Sequence, residues 1–429
     1  MSSNSNYSAD EDEFIDWTGC ELNKKYIMLE KLGAGSYAVV WLAYNKLKKE
    51  LVAIKLHYEG DYSTGVNEGK MLNIFNHDIF IKKIDEFEYE KKYCIVLEIM
   101  ICSLYDIIKK YNYLINYELI DNVIKKIDDG LKIIHHKGYI HADLKPENIL
   151  IGGTCKKYDI YLNYFDKKFN EDLLNTKKIL LKESRSDISK TPNKSGILSE
   201  KKLHAKDIKK SAFKLTIKNF CNKINKKNNR DEYDSESESY SDREFDNIKK
   251  YKFGREYLDT NNILSSSEEE SEEDNMEEIK INKIVISDLG SIILNTKKTF
   301  NLQTRYYRSP SIILREKTDK NIDYWSFGCL IYELLTGKIL FNPDNHGKYN
   351  INRLHMYLIQ NILDNKEFIY QNKNNINNDI YYKKNGMVKG FEKINFVGLN
   401  KKIENNLLSN LDKKKLISYL SLILKYFKI

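Results

Sequence analysis

Three polar side chains within six residues of one another have the types and spacing to move a phosphoryl group onto a hydroxyl. They lie in the run His141-Ala-Asp-Leu-Lys-Pro-Glu-Asn-Ile-Leu150. Asp143 can accept or orient a hydroxyl proton, Lys145 can neutralise charge on the moving group, and Asn148 can bind a metal. A second carboxylate, Asp288, ends the apolar run of Ile284-Val-Ile-Ser-Asp-Leu-Gly290, where a glycine turns the chain. That placement suits Mg²⁺, which takes oxygen ligands. Val52-Ala-Ile-Lys55 ends an apolar run on an ammonium that strand alternation would aim into a cleft, toward nucleotide phosphates. On its own, a lysine such as Lys55 is more often an ordinary edge-strand lysine. Glu68, thirteen residues on, could hold it in an ion pair, although a helix glutamate is usually just solvated. Finally, Leu32, Gly33, Ala34, Gly35, Ser36, Tyr37, Ala38, Val39 and Val40 form a glycine turn between strands. Glycines let backbone N–H groups approach phosphate oxygens, although such a run can also be a plain hairpin. Ala38 stands where a third glycine would complete the pattern, and it is small enough to keep that approach open.

These residues need rigid elements to position them. Tyr26–Leu32, Val39–Tyr44, Leu51–Leu56 and Cys94–Ile99 are β-type runs, and Gly65–Phe75 has helical spacing. A broad apolar face over Tyr117–His136 predicts a long helix ahead of the catalytic run. Strands are expected at Asn148–Ile151 and Lys283–Ser287, with helices from Asp323 onward. The C-terminal run Leu416–Leu424 reads as a helix packed on a core. Between Gly152 and about Asn282 there is little sustained periodicity. Runs such as Ser265-Ser-Ser-Glu-Glu-Glu-Ser-Glu-Glu-Asp274 cannot bury enough surface to offset ordering entropy.

In this order and on these elements, the residues resemble the signature of eukaryotic protein kinases, over about 26–151 and 283–429. Lys145 and Thr304 resemble the serine/threonine type. Closer still is the resemblance to the SR-protein kinases of the CMGC group. It is carried by Gly19-Cys-Glu-Leu-Asn-Lys-Lys-Tyr26, Asp288-Leu-Gly290, Gln303-Thr-Arg-Tyr-Tyr-Arg308, Tyr381-Tyr-Lys-Lys-Asn-Gly-Met-Val-Lys389 and Val397-Gly-Leu399, and by the long spacer. The resemblance implies an α+β fold with a β-rich N-lobe and a helical C-lobe carrying a long disordered insert, with ATP and Mg²⁺ as cofactors. It divides the chain into a tail (1–25), an N-lobe (26–100), a first C-lobe part (101–151), a charged insert (152–282) and a second C-lobe part (283–429). The glycine loop would cover the phosphates, Lys55 and Glu68 would position them, and backbone around Glu98 and Met100 would meet adenine. Asp143 and Lys145 would be catalytic, Asn148 and Asp288 would hold metal, and Thr304, Arg305 and Arg308 would form the substrate segment.

Departures from the family pattern carry their own expectations. Ala142 replaces an arginine that gathers a phosphorylated loop, which implies activity without loop phosphorylation. Ser309-Pro-Ser311 lacks the glutamate of Ala-Pro-Glu, and the arginine partner expected further on does not appear before Ile429. The family uses acidic groups to guide arginine-rich substrates, yet 341–375 holds Asp344, Asp364 and Glu367 against Lys348, Arg353, Lys366 and Lys373. Acceptors are therefore expected to be protein Ser/Thr hydroxyls, with a basic or Arg-Ser-rich preference left open.

Composition narrows the alternatives. No apolar stretch reaches the ~18 residues of a membrane span, and the N-terminus lacks a secretory pattern. The six cysteines form no Cys-x-x-Cys pair, in keeping with an intracellular protein, cytoplasmic or nuclear. The formal charge of +8 averages opposing blocks: 201–230 holds 11 Lys/Arg against Asp207, whereas 265–278 holds eight acids. Protein partners are thus expected ahead of nucleic acid or membrane. The insert reads as a solvated tether, or else as phosphoacceptor serines (Ser265–Ser267 and Ser271) beside a basic import or nucleic-acid segment. Two rivals remain. A pseudokinase scaffold would lack the reactive residues present here. A nucleic-acid binder led by the basic insert would show steep salt dependence.

Overall fold

The computed structural model describes residues 15–111, 117–168, 214–225, 280–296, 301–316, 318–343, 350–363, 378–384, 386–391, 414 and 417–418. The N-terminal part is a six-stranded antiparallel sheet of β1 (Glu21–Leu22), β2 (Tyr26–Ala34), β3 (Ala38–Asn45), β4 (Glu50–His57), β5 (Lys83–Tyr89) and β6 (Lys92–Glu98). The spatial order is β1-β2-β3-β4-β6-β5. Alternation sends Met28, Trp41, Ile54, Leu56 and Val96 to one face, where they pack with Trp17 and Tyr58. Lys55 therefore points to the opposite face. Strand β5 escapes the sequence reading because Lys-Ile-Asp-Glu-Phe-Glu-Tyr is mostly charged. As an edge strand it keeps those charges at the surface or in ion pairs, Lys83 with Glu86 and Asp85 with Lys25, and charged residues there guard the open edge.

Helix α1 (Tyr62–Ile74) lies against this sheet through its glycines. A Cβ on Gly65 would meet the His57 ring at 2.7 Å, and one on Gly69 would meet Glu86 Oε2 at 2.7 Å. These glycines, poor helix formers, are the condition for close packing.

The second part is mainly helical. After β7 (Cys102–Ser103) and α2 (Leu104–Tyr111), helix α3 (Tyr117–His136) has the bounds that its apolar face predicts. Ile120, Val123, Ile127, Leu131 and Ile134 are fully buried. Next come β8 (Tyr139–Ile140) and β9 (Ile149–Thr154), and far along the chain β10 (Lys280–Ile286) and β11 (Ile293–Leu294). β9 and β10 pair antiparallel from Ile149↔Ile286 to Thr154↔Lys280, so the long spacer is an excursion between two paired strands. Ile286 also exchanges backbone bonds with Ile79 and Ile81, which ties the sheet domain to the helical one.

Two stretches of the spacer depart from the aperiodic reading: residues 156–168 (α4) and 214–225 (α5) are helical. Tyr158, Tyr161 and Phe165 recur at helical spacing on α4, as do Ile217, Cys221 and Ile224 on α5. Together they bury the β2–β4 residues Ile27, Leu29, Leu42, Tyr44 and Leu51. Phe165 stacks on Tyr44 at 4.2 Å, and Tyr164 on Phe220 at 3.7 Å. Interspersed Lys, Asn and Asp dilute this stripe in the sequence. The Ser265–Asp274 run, Asp344, Lys348, Asp364, Lys366, Glu367, Lys373 and Val397–Leu399 lie outside the described residues. So does most of Leu416–Leu424, of which Ile417 is helical and exposed.

The remaining described helices are α6 (Pro310–Ile313), α7 (Asn321–Thr336), α8 (Ile351–Leu363) and α9 (Asn378–Tyr381). Helix α7 is buried from Ile322 to Thr336 and forms the spine of this lobe.

The spacer helices have a measurable consequence. Phe165→Ala should lower unfolding stability by about 3–5 kcal/mol, read by urea or thermal denaturation, because it opens a cavity against Tyr44. A spacer that only trails in solvent would give no change.

Candidate active site

The loop between β8 and β9 is shaped by one buried carboxylate. Asp323, at the start of α7, is fully buried. Its Oδ2 accepts the His141 N–H at 2.8 Å and its Oδ1 the Ala142 N–H at 2.9 Å, while His135 Nε2 lies 2.8 Å from Oδ2. Ala142 sits at φ 66°, a left-handed conformation that costs energy for a non-glycine residue. The charged bonds to Asp323 hold the loop there. His141 in turn lies 3.2 Å from the Ser287 carbonyl through Nε2, and Ser291 Oγ donates to the His141 carbonyl at 2.9 Å. The 141–148 loop and the Asp288 turn are thereby one unit.

On this base Asp143 is fixed from two sides. Its Oδ1 accepts from Thr304 Oγ1 at 2.8 Å and from the Thr304 N–H at 2.9 Å, and its Oδ2 lies 2.9 Å from Lys145 Nζ. Lys145 also reaches Thr304 Oγ1 at 3.1 Å. Burial works against the Lys145 ammonium, but Asp143, Glu147 and Asp288 outweigh it and hold the group above the usual lysine range. Asn148 spends its Nδ2 on the Asp143 carbonyl at 2.8 Å, which leaves the carboxamide oxygen as the group to offer a ligand.

Across the cleft, Lys55 Nζ lies 2.8 Å from Glu68 Oε1, 2.7 Å from Oε2 and 3.0 Å from Asp288 Oδ1. Burial pulls the Lys55 ammonium down, yet Asp288 and Glu68 prevail and raise it above the ordinary range. The same Lys55 charge, against burial, holds the Asp288 carboxyl below the usual carboxylate range. Asp288 is left-handed, at φ 58°. Two residues on, a Cβ at Gly290 would come within 3.1 Å of Glu68 Oε2, so any side chain there would press on the ion pair. His57 Nε2 supports Glu68 from behind at 3.1 Å.

The glycine loop is exposed from Leu32 to Tyr37, while Ala38 and Val39 are buried in β3 and Val40 is half-buried. Neither Gly33 nor Gly35 has positive φ. A Cβ on Gly33 would meet nothing within 4 Å, and one on Gly35 only Ala38 O at 3.9 Å. The chain itself does not need these glycines, and the open space above them fits phosphate oxygens. At the strand end, the Glu98 carboxylate is paired with Lys283 at 2.7 Å, so its side chain has a structural partner. The Met100 carbonyl accepts the Tyr158 hydroxyl of α4 at 2.8 Å, so the chain itself engages that acceptor.

Two expected substrate-segment residues serve the segment's own shape. Arg308 donates through Nε and Nη2 to the Gln303 carbonyl, and Arg305 Nη1 reaches Asn352 Oδ1 at 2.7 Å. Gln303, at φ 62°, is clamped by its side chain to Ile322 O, Ser326 Oγ and the Ser309 N–H. Where Ala142 has no arginine side chain to offer, its carbonyl accepts the Gln303 N–H at 3.0 Å. Sequence reasoning assigned no role to Asp323, Gln303 or Tyr158. Asp323 opens the helical stretch that the sequence displays, but its work on the loop of His141 and Ala142, 182 and 181 residues away, shows only in three dimensions. The oxygens of Asp288 and Asn148 make a hard donor pair that fits Mg²⁺, which commonly takes one or two protein ligands plus phosphates.

The sequence profile of the protein kinase domain matches residues 26–163 and 258–420, in two segments around the spacer. Serine/threonine-protein kinase L205 of Acanthamoeba polyphaga mimivirus is 27% identical, over 82% of this chain and 74% of that protein. Protein kinase dsk1 of Schizosaccharomyces pombe is 26% identical, over 80% of this chain and 66% of its own length. Serine/threonine-protein kinase SRPK of Physarum polycephalum is 26% identical, over 79% and 66%. A solved kinase domain superposes with a TM-score of 0.56 at 18% identity, covering 96% of this chain and 97% of that one, which shows the fold. The chain belongs to the protein kinase family. It is a serine/threonine protein kinase whose domain is interrupted by a long spacer.

Asp323→Asn puts an N–H₂ where a backbone N–H must be accepted. It should cost about 2–4 kcal/mol of stability in a urea melt. It should also lower turnover much more than it raises the KM for ATP, because the loop it shapes carries Asp143.

Proposed function

We propose that this kinase transfers the γ-phosphoryl group of ATP in line to Ser or Thr hydroxyls of protein substrates. The observation that carries this reading is the joint engagement of Asp143 by Thr304 and Lys145, facing Lys55 held between Glu68 and Asp288. The glycine loop from Leu32 to Val40 covers the phosphates, and Lys55 pairs with them. The backbone at Glu98 and Met100 meets the adenine. Asp288 and Asn148 would hold Mg²⁺, which would supply positive charge to offset that of the phosphates. Asp143 orients the acceptor hydroxyl and takes its proton as the new O–P bond forms and the bond to the β-phosphate oxygen breaks. Lys145 offsets charge on the group in flight. A scaffold without chemistry would have no need to assemble these groups.

The resemblance to the SR-protein kinases, together with a relative named SRPK, supports basic acceptors. The near-balance of charge over 341–375 argues against a strong Arg-Ser preference. Among the described residues no helix is long and apolar enough to cross a membrane.

Labelled ATP with Mg²⁺ should phosphorylate generic basic proteins and an Arg-Ser peptide at comparable rates. Asp143→Ala should reduce transfer by about 10²–10⁴-fold. Phosphatase treatment of the wild type beforehand should leave the rate unchanged, since Gln303 is held by the Ala142 carbonyl and needs no loop phosphate. Equal, negligible transfer by both folded proteins would overturn the kinase chemistry. A large preference for the Arg-Ser peptide would overturn only the substrate reading.

A further inference from the structure

The glycine loop is tethered from behind by a residue just past β4. The Tyr58 hydroxyl donates to the Gly35 carbonyl at 3.2 Å, and the Tyr58 N–H donates to the Tyr37 carbonyl at 3.0 Å. The tip is closed by the Gly35 N–H, which donates to the Ala38 carbonyl at 2.9 Å. Tyr58 is 5% exposed and packs with Trp41, Ile54 and Leu56, on the sheet face opposite Lys55. Its carbonyl then accepts the Asp61 N–H at the approach to α1, the helix that carries Glu68.

A trans peptide is planar, with its C=O and N–H directed to opposite sides. A Gly35 carbonyl drawn toward Tyr58 therefore turns the Ser36 N–H toward the Lys55 face, where the phosphates would lie. Left untethered, an exposed glycine peptide could flip and present its carbonyl to the phosphates, replacing attraction by repulsion. We infer that Tyr58 is a positioning residue for nucleotide phosphates: its hydroxyl holds the Gly35 carbonyl and so aims the Ser36 N–H at the phosphate groups. This rests on the nucleotide reading of the cleft. In this role Tyr58 is a positioning residue that acts through the loop peptide.

Tyr58→Phe keeps the packed ring and removes only the hydroxyl. Binding of Mg-ADP and of adenosine to the full chain, measured by calorimetry, separates positioning from structure, because adenosine has no phosphate. The variant should bind Mg-ADP about 3- to 10-fold more weakly, the effect of one hydrogen bond, and adenosine as well as the wild type does. In phosphate transfer, the KM for ATP should rise while the KM for the acceptor stays fixed. Equal weakening of both ligands, or no weakening of either, would overturn the role of Tyr58. Failure of the wild type to bind either ligand would instead remove the nucleotide reading on which it rests. Should Tyr58→Phe unfold, Gly35→Pro is the second variant. Its ring removes the N–H that closes the tip while keeping Tyr58, and it should also separate Mg-ADP from adenosine. Equal loss on both ligands there would count against the proposal.

Discussion

One ammonium joins the two halves of this molecule. Lys55 stands on the central strand of the N-terminal sheet, Glu68 on the helix beside that sheet, and Asp288 at the end of β10 in the helical lobe. A lysine as largely withdrawn from water as Lys55 is tolerable only with close opposite charge, because desolvation of the ion is costly and its partners must offset it. The same requirement fixes the angle of α1, the turn after β10 and the approach of the two lobes. Gly65 and Gly69 let α1 come close enough for Glu68 to reach. Gly290 keeps the far side of that carboxylate clear. Gly65 and Gly290, set against His57 and Glu68, and the three charges make one connected arrangement.

The helical lobe is organised around a second buried charge. Asp323 accepts two backbone N–H groups and faces His135, which makes a left-handed Ala142 affordable and places Asp143. Thr304, set by the Gln303 clamp, then closes on Asp143 from the other side. The site is thus built by backbone geometry fixed at a distance. Asp143 is carried on a loop, while Asp323, which shapes that loop, sits in the buried helix α7 and Thr304 reaches Asp143 from the 301–309 segment.

Much of this was legible in the sequence, for identifiable reasons. The 141–150 run, Lys55, Glu68 and Asp288 occur in order on elements with clear periodicity, and α3 shows its apolar face without interruption. What escaped was of two kinds. Strand β5 and helices α4 and α5 are diluted with charge, and their apolar stripes make sense only against the sheet they cover. The positioning residues Asp323, Gln303 and Tyr58 act through backbone groups of distant segments, and no local spacing announces that. Arg305 and Arg308 carry a motif the sequence displays, but their observed partners, Asn352 and the Gln303 carbonyl, could not be read from it.

The most direct test of this account is phosphate transfer from labelled Mg-ATP by the full chain carrying Lys55→Met. Methionine nearly preserves the volume of the side chain and removes the charge that Glu68 and Asp288 share. If the ammonium organises the cleft, transfer falls by at least about a hundredfold while the protein remains folded. Transfer at the wild-type rate would mean that neither the ion pair nor the cleft it assembles is the seat of the chemistry.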